Sequence, residues 1–174
     1  MTEFSIPAKP AGSGLHPPHG QQQGFALVEV LVTIIIMALG LLGMANLQAN
    51  GVRQNGSSLL RTLAAQQAYD MADRIRANPA GVTLGSYNNL SGTGTNPDCQ
   101  ANTCTPAQLA NYDKYIWNTD NASLLPSGAG TVTGSNNLFT IVVRWDGDRT
   151  GATGTNCTTA STDLKCFTLT TRIQ

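Results

Sequence analysis

The feature that most constrains this chain is one apolar run, Phe25 to Ala45, reading FALVEVLVTIIIMALGLLGMA. Within it only Glu29 and Thr33 are polar. About 20 consecutive apolar residues are enough for a helix to cross a bilayer, whereas buried core helices are usually shorter. The run therefore predicts a membrane-spanning helix. The preceding residues 1–24 are polar and rich in Pro and Gly, and Pro10, Pro17 and Pro18 forbid a stable helix there. A secretory signal would show a basic start, a shorter apolar core and a small-residue cleavage site after that core. Here the leader's only cation is Lys9, partly offset by Glu3, and no such site follows the run.

The remaining composition narrows the chemistry. The 174 residues carry 10 basic and 10 acidic side chains, a net charge of +0. That balance leaves no electrostatic footprint for nucleic acid. Aromatics are 6% of the chain, too few for a platform on which bases or sugars stack. Both histidines, His16 and His19, lie in the leader. A chain without that leader has none, which argues against Ser-His or Cys-His catalysis and against His-ligated zinc. No enzymatic activity and no cofactor are expected.

Cys99, Cys104, Cys157 and Cys166 all follow the apolar run. Four cysteines in a small, loop-rich domain suggest two disulfides in an oxidising compartment, with the C-terminal part outside the cytoplasm. Of the three connectivities, nearest-neighbour pairing (Cys99 with Cys104, Cys157 with Cys166) is the one expected. Asp146, Asp148 and Asp163 are candidate calcium ligands, but EF-hand spacing is absent and a solvated turn is the expected reading. Trp117 and Trp145 are expected in the core or on a sheet face.

Helical character continues beyond the apolar run. Asn46–Ser58 is polar and contains Gly51 and Gly56, each costing a helix about 1 kcal/mol relative to Ala. From Leu59 the pattern tightens: Leu60, Ala64, Ala68, Met71 and Ile75 form one apolar face. Asp70 with Arg74, and Asp73 with Arg76, are spaced for ion pairs on that helix. Asn78-Pro79 ends it, because the residue before a proline avoids the α region. A globular head begins near Gly81, with loop over residues 81–104. Thr105-Pro106-Ala107-Gln108 carries a capping Thr, a Pro at N1 and a Gln at N3, which predicts a helix start. Leu109, Tyr112 and Ile116 share a face of this second helix, which ends near Leu124-Leu125-Pro126. Ser127 to Gly130 reads as a turn, Leu138–Trp145 as the best strand, Leu164–Ile173 as an alternating one, and Thr131–Thr133 as a shorter one. The sum is α+β: a long helix packed on a small antiparallel sheet.

Gly24-Phe25-Ala26-Leu27-Val28-Glu29 followed by an apolar helix resembles the processing site of type IV pilins. The resemblance implies that a prepilin peptidase cuts after Gly24 and methylates the new N-terminus, Phe25, while the apolar helix is kept. Four longer stretches, GFALVEVLVTIIIMALGLLGMANLQ, AYDMADRIRANPAG, LLPSGAGTV and FTIVVRWDG, resemble the PilV family of minor pilins, the type IV pilus modification proteins. Two features depart from the family pattern. The leader is longer and less basic than usual, and glycines rather than the proline of many major pilins flank Asn46. The implied domains are a cleaved leader (1–24), a membrane or fibre-core half-helix (25–47), an amphipathic half-helix (48–80) and an α+β head with two disulfides (81–174), a type IV pilin-like fold.

In that family, the carboxylate that Glu29 matches meets the N-terminal ammonium of a neighbouring subunit. A carboxylate in a membrane helix is costly and usually marks function. In a low-dielectric bundle, pairing it would fix subunit register; a first-turn Glu also answers the helix dipole. The resemblance implies a non-catalytic subunit that supports type IV pilus assembly, adhesion and twitching motility. Its partners would be the major pilin, other minor pilins, prepilin peptidase, the inner-membrane assembly platform, a tip adhesin, and membrane lipid before assembly. It would sit in the inner membrane with its head in the periplasm, then in the surface pilus. The alternatives are a type II secretion pseudopilin, which shares Gly24, Phe25 and Glu29, and an uncleaved signal-anchored binding domain.

Overall fold

The computed structural model describes residues 27–173. By backbone contacts the chain divides into two compact units, one ending at Asn46 and the next beginning at Leu47. One α-helix, α1 (Leu27–Ala77), crosses that boundary. It is unbroken between Asn46 and Ser58, so the glycines there weaken the helix without ending it.

The second unit continues with α2 (Pro79–Thr83), β1 (Asn89–Leu90), α3 (Pro106–Leu124), β2 (Ala129–Ser135), β3 (Leu138–Trp145) and β4 (Lys165–Arg172). The strands form one antiparallel sheet in the order β1-β2-β3-β4. Two of these elements fall within or beside what the sequence predicts as loop. Asn78 does end α1, but it also caps α2: its Oδ1 accepts from the Gly81 amide at 3.0 Å, and Pro79 occupies the first helical position. β1 is missed because two residues are too few to carry an alternating pattern. β2 begins at Ala129, inside the predicted turn, and is longer than Thr131–Thr133.

Local chemistry explains the boundaries. Thr105 and Gln108 cap α3 reciprocally: the Gln108 amide donates to Thr105 Oγ1 at 3.3 Å, and the Thr105 amide donates to Gln108 Oε1 at 2.9 Å. The β2–β3 hairpin turns on Asn136 and Asn137, at φ 51° and 62°. Two left-handed residues between Ser135 and Leu138 match the right-handed twist of the flanking strands, and Asn tolerates that conformation best after Gly.

The core collects Ala64, Ala68, Met71, Ala72 and Ile75 of α1, Trp117 of α3, and Val132, Phe139, Ile141, Val143 and Trp145 of the sheet. The alanines of α1 keep that stripe narrow and admit the larger residues. Both predicted ion pairs of α1 form, Arg74–Asp70 and Arg76–Asp73, each at 2.7 Å. On α3 the expected face is displaced. Leu109, Tyr112 and Ile116 are half-buried, while Ala110, Asp113, Trp117, Asn118 and Asn121 are buried. Polar residues can face inward here because they tie down neighbouring backbone. Asn118 donates to the Gly92 carbonyl at 3.1 Å and accepts from the Gly130 amide at 2.6 Å.

Where α1, α2 and α3 meet, Asn78, Tyr87, Asp113 and Arg74 form a chain. The Asn78 amide donates to Tyr87 Oη at 3.0 Å and to the Pro106 carbonyl at 2.8 Å. Tyr87 Oη donates to Asp113 Oδ2 at 2.5 Å, and Arg74 lies 3.6 Å from Asp113 Oδ1. Burial raises the Asp113 pKa, although Tyr87 and Arg74 act to lower it. Burial, then the bond to Asp113, also pushes the Tyr87 pKa well above its usual 10.0. Below about pH 10 Tyr87 is protonated in both folded and unfolded chain. Above it the unfolded chain releases a proton that the native head retains, so stability falls as pH rises. We expect denaturant midpoints to decline above pH 10, and the decline to be shallower in Tyr87→Phe. An identical slope in the variant would assign the loss to other groups.

Candidate functional site

The most unusual surface is the first half of α1. Every residue from Leu27 to Asn50 is exposed. Fourteen of the side chains between Leu27 and Leu47 are large and apolar, among them Leu27 at 78% exposure and Met37 at 71%. Burying one such side chain is worth about 1.5–3 kcal/mol. In water this segment forgoes on the order of 20–40 kcal/mol by the same scale, an imbalance that calls for lipid or other apolar helices around it. α1 is long and apolar enough to cross a membrane, and its most apolar stretch is 0% buried within the protein.

Three local features suit such surroundings. Thr33 Oγ1 donates to the Val30 carbonyl at 2.8 Å, so its hydroxyl is satisfied within the helix. Met37, Gly40, Leu41 and Met44 line a shallow apolar hollow of about 330 Å3. Gly40 and Gly43 have open space where a Cβ would stand, which lets another helix approach closely. Glu29 lies in the first turn and is exposed; among the described residues it is the only charged one before Arg53. Gly24 and Phe25, predicted as the processing site, lie outside the described residues.

In the head, the structure joins Cys99 to Cys104 and Cys157 to Cys166, both with Cα atoms 5.4 Å apart. The first bridge closes the loop before α3. The second ties the irregular 150–164 segment to β4. The three aspartates considered for calcium have separate partners. Asp146 accepts from the Thr150 and Gly151 amides at 3.1 and 2.7 Å. Burial opposes its charge, but backbone amides, Gly151's and Thr150's foremost, hold its pKa below the usual carboxylate range. Asp148 lies 3.2 Å from Lys165 Nζ, and Asp163 accepts from the Thr158 hydroxyl. Among the described residues no group of three or more His, Cys, Asp or Glu could hold a metal ion. Both tryptophans are in the core, with Trp117 Nε1 donating to the Gln67 carbonyl at 2.8 Å.

Comparison with known families gives two adjoining matches. A family model described as the prokaryotic N-terminal methylation motif matches residues 20–45, which contain the start of α1 and Glu29. A second, described as type IV pilin Tt1218, matches residues 46–115, which carry the rest of α1, α2, β1 and the start of α3. No curated protein and no solved structure matches the chain. The α+β fold, with its long apolar N-terminal helix and four-stranded antiparallel sheet, is consistent with a type IV pilin fold, and the two matches support a type IV pilin family for this chain.

Proposed function

We propose that this chain is a minor pilin of the PilV type, cut after Gly24 by prepilin peptidase, methylated at Phe25 and assembled into a type IV pilus. The observation that carries the reading is the bare apolar helix from Leu27 to Leu47, most of which lies inside the match to the N-terminal methylation motif. Lipid would cover that helix in the precursor, and other pilin helices in the fibre. Transfer between the two needs no change in the helix, because van der Waals contact replaces acyl-chain contact along the same surface.

Glu29 would supply register. Placed four residues after Phe25 in the sequence, its carboxylate would meet the N-terminal ammonium of an adjoining subunit among apolar helices. The head would be carried on the periplasmic side of the inner membrane before assembly and outside the cell afterwards. The two disulfides support an oxidising compartment for it. The proposed partners are the major pilin, other minor pilins, the assembly platform and a tip adhesin, with adhesion and twitching motility depending on the subunit indirectly.

N-terminal peptide mass spectrometry on sheared surface fibres and on membranes tests this. We expect a peptide beginning at Phe25 with one added methyl group, sparse in the fibres relative to a major pilin. A processed form confined to the envelope would favour a secretion pseudopilin or an unassembled primer of the pilus. An intact leader in wild-type cells would overturn the pilin reading.

A further inference from the structure

A trough in the second unit is not used by anything described so far. Arg53, Gly56, Ser57, Leu59 and Leu60 of α1 line one wall, and Gly147, Asp148 and Arg149 of the loop after β3 line the other, around a cavity of about 600 Å3. On α1, Arg53, Ser57 and Leu60 recur at four- and three-residue spacing and so share a stripe. Gly56 beside them has open space in place of a side chain. The opposite wall is held in shape. Asp146 gathers the Thr150 and Gly151 amides, and Arg149 stands between at φ 54°, a left-handed backbone uncommon for a residue other than glycine.

The charge of the trough is cationic. Asp148 is offset by Lys165 at 3.2 Å. Arg53 and Arg149 are exposed, and neither has an ion-pair partner among the described residues. Two guanidinium groups and the Ser57 hydroxyl, with Leu59 and Leu60 lining the same trough, make a site for a phosphate attached to something less polar. What precedes Arg53 on the same helix identifies that attachment. Leu47 is 74% exposed and Val52 73%. Arg53 follows Leu47 by six residues, a rise of about 9 Å in an α-helix. If the apolar segment lies in lipid, that rise carries Arg53 to headgroup depth, where arginine stems lie along apolar surface and their charge reaches the interface.

We propose that the trough between Arg53 and Arg149 binds the phosphate of an anionic phospholipid in the leaflet next to the head. The inference rests on the reading of α1 as a membrane anchor. It adds a lipid class and two residues that select it. A zwitterionic headgroup brings its own cation to two arginines, whereas an anionic one does not, so the site prefers the anionic lipid. Such a contact would fix the height and rotation of the precursor in the membrane and would have to be released on assembly.

The full chain, purified from membranes in detergent, is titrated with phosphatidylglycerol or phosphatidylcholine of matched acyl chains, and retained lipid is read by native mass spectrometry. We expect preferential retention of phosphatidylglycerol. At about 1 kcal/mol per basic residue near a headgroup, Arg53→Gln or Arg149→Gln should weaken retention about fivefold and the double variant about thirtyfold. Arg53→Lys and Arg149→Lys, which keep the charge, should retain most of the preference and serve if a glutamine variant unfolds by circular dichroism. Equal retention of the two lipids, or phosphatidylglycerol retention untouched by the double variant, overturns the proposal. Complete displacement by millimolar inorganic phosphate would make this a site for free anions and also overturn it. A protein subunit seated in the trough in place of lipid would do the same. Leader removal is a separate readout, since cut and uncut chains both keep Arg53, Arg149 and the anchor. Failure of the pilin reading is thereby distinguishable from failure of the lipid site.

Discussion

On the proposed reading, Glu29→Ala should leave the chain in the membrane and cut after Gly24, yet remove it from surface fibres. Glu29 is the only charged residue among the described ones before Arg53, and the helix around it is apolar on all sides. In a bundle of such helices the N-terminal ammonium of an adjoining subunit has no other carboxylate from this segment to meet. Breaking a buried ion pair by deleting one partner costs about 3–5 kcal/mol, because the remaining charge is left unpaired in a low dielectric. That is about two to three and a half orders of magnitude in the equilibrium for incorporation by the same figure. Glu29→Gln keeps the shape and a hydrogen-bond acceptor but loses the charge, so it should recover only a small part. Immunoblots of sheared fibres and membranes, with the N-terminal peptide read in parallel, separate the steps. Wild-type incorporation of Glu29→Ala would leave the first-turn Glu with a helix-dipole role alone. Loss of processing in the same variant would move its role to peptidase recognition.

The elements most readable in the sequence are those whose signal is local. The apolar run sets the first half of α1, the three-to-four spacing of Ala64, Ala68, Met71 and Ile75 sets its buried stripe, and the Thr105–Gln108 box starts α3. The β-branched run from Leu138 to Trp145 is β3 residue for residue. What is missed depends on a residue doing two things at once. Asn78-Pro79 reads as a stop, and it is one, but the same pair also starts α2. Asn136-Asn137 is a two-residue hairpin turn that could have been recognised from its residue types. The buried face of α3 is harder to read. Asp113, Asn118 and Asn121 look like solvent residues, and partners distant in sequence, the backbone of Gly92 and Gly130, the Tyr87 hydroxyl and Arg74, make two of them interior. The candidate site divides in the same way. Its apolar helix is legible from composition, while the trough between Arg53 and Arg149 joins positions nearly a hundred residues apart and has no local signature.

Trp117→Ala should be the most damaging single change to the head. The indole is fully buried and closes the space between α3, α1 and β2. Gly130 lies against its ring so closely that a Cβ there would strike it, which explains a glycine inside β2. Its Nε1 donates to the Gln67 carbonyl at 2.8 Å, so the ring also anchors α3 to α1. Truncating a buried Trp costs about 3–5 kcal/mol through lost transfer energy and the cavity left behind. For a unit of this size that is a fall in midpoint temperature of about 12–20 °C. Trp117→Phe keeps most of the volume and loses the indole donor, so it should cost less; the Gln67 carbonyl keeps its bond within α1, and the lost hydrogen bond accounts for about 0.5–1.5 kcal/mol of the penalty. Thermal unfolding of the full chain in detergent, followed by near-ultraviolet circular dichroism, reads both values. Because the Leu27–Leu47 segment takes no part in this core, the membrane insertion and leader removal of the proposed reading should survive in Trp117→Ala while the head becomes sensitive to proteases. If Trp117→Ala and Trp117→Phe unfold at the same midpoint, the hydrogen bond to Gln67 outweighs the packing of the ring, and the balance argued here is reversed.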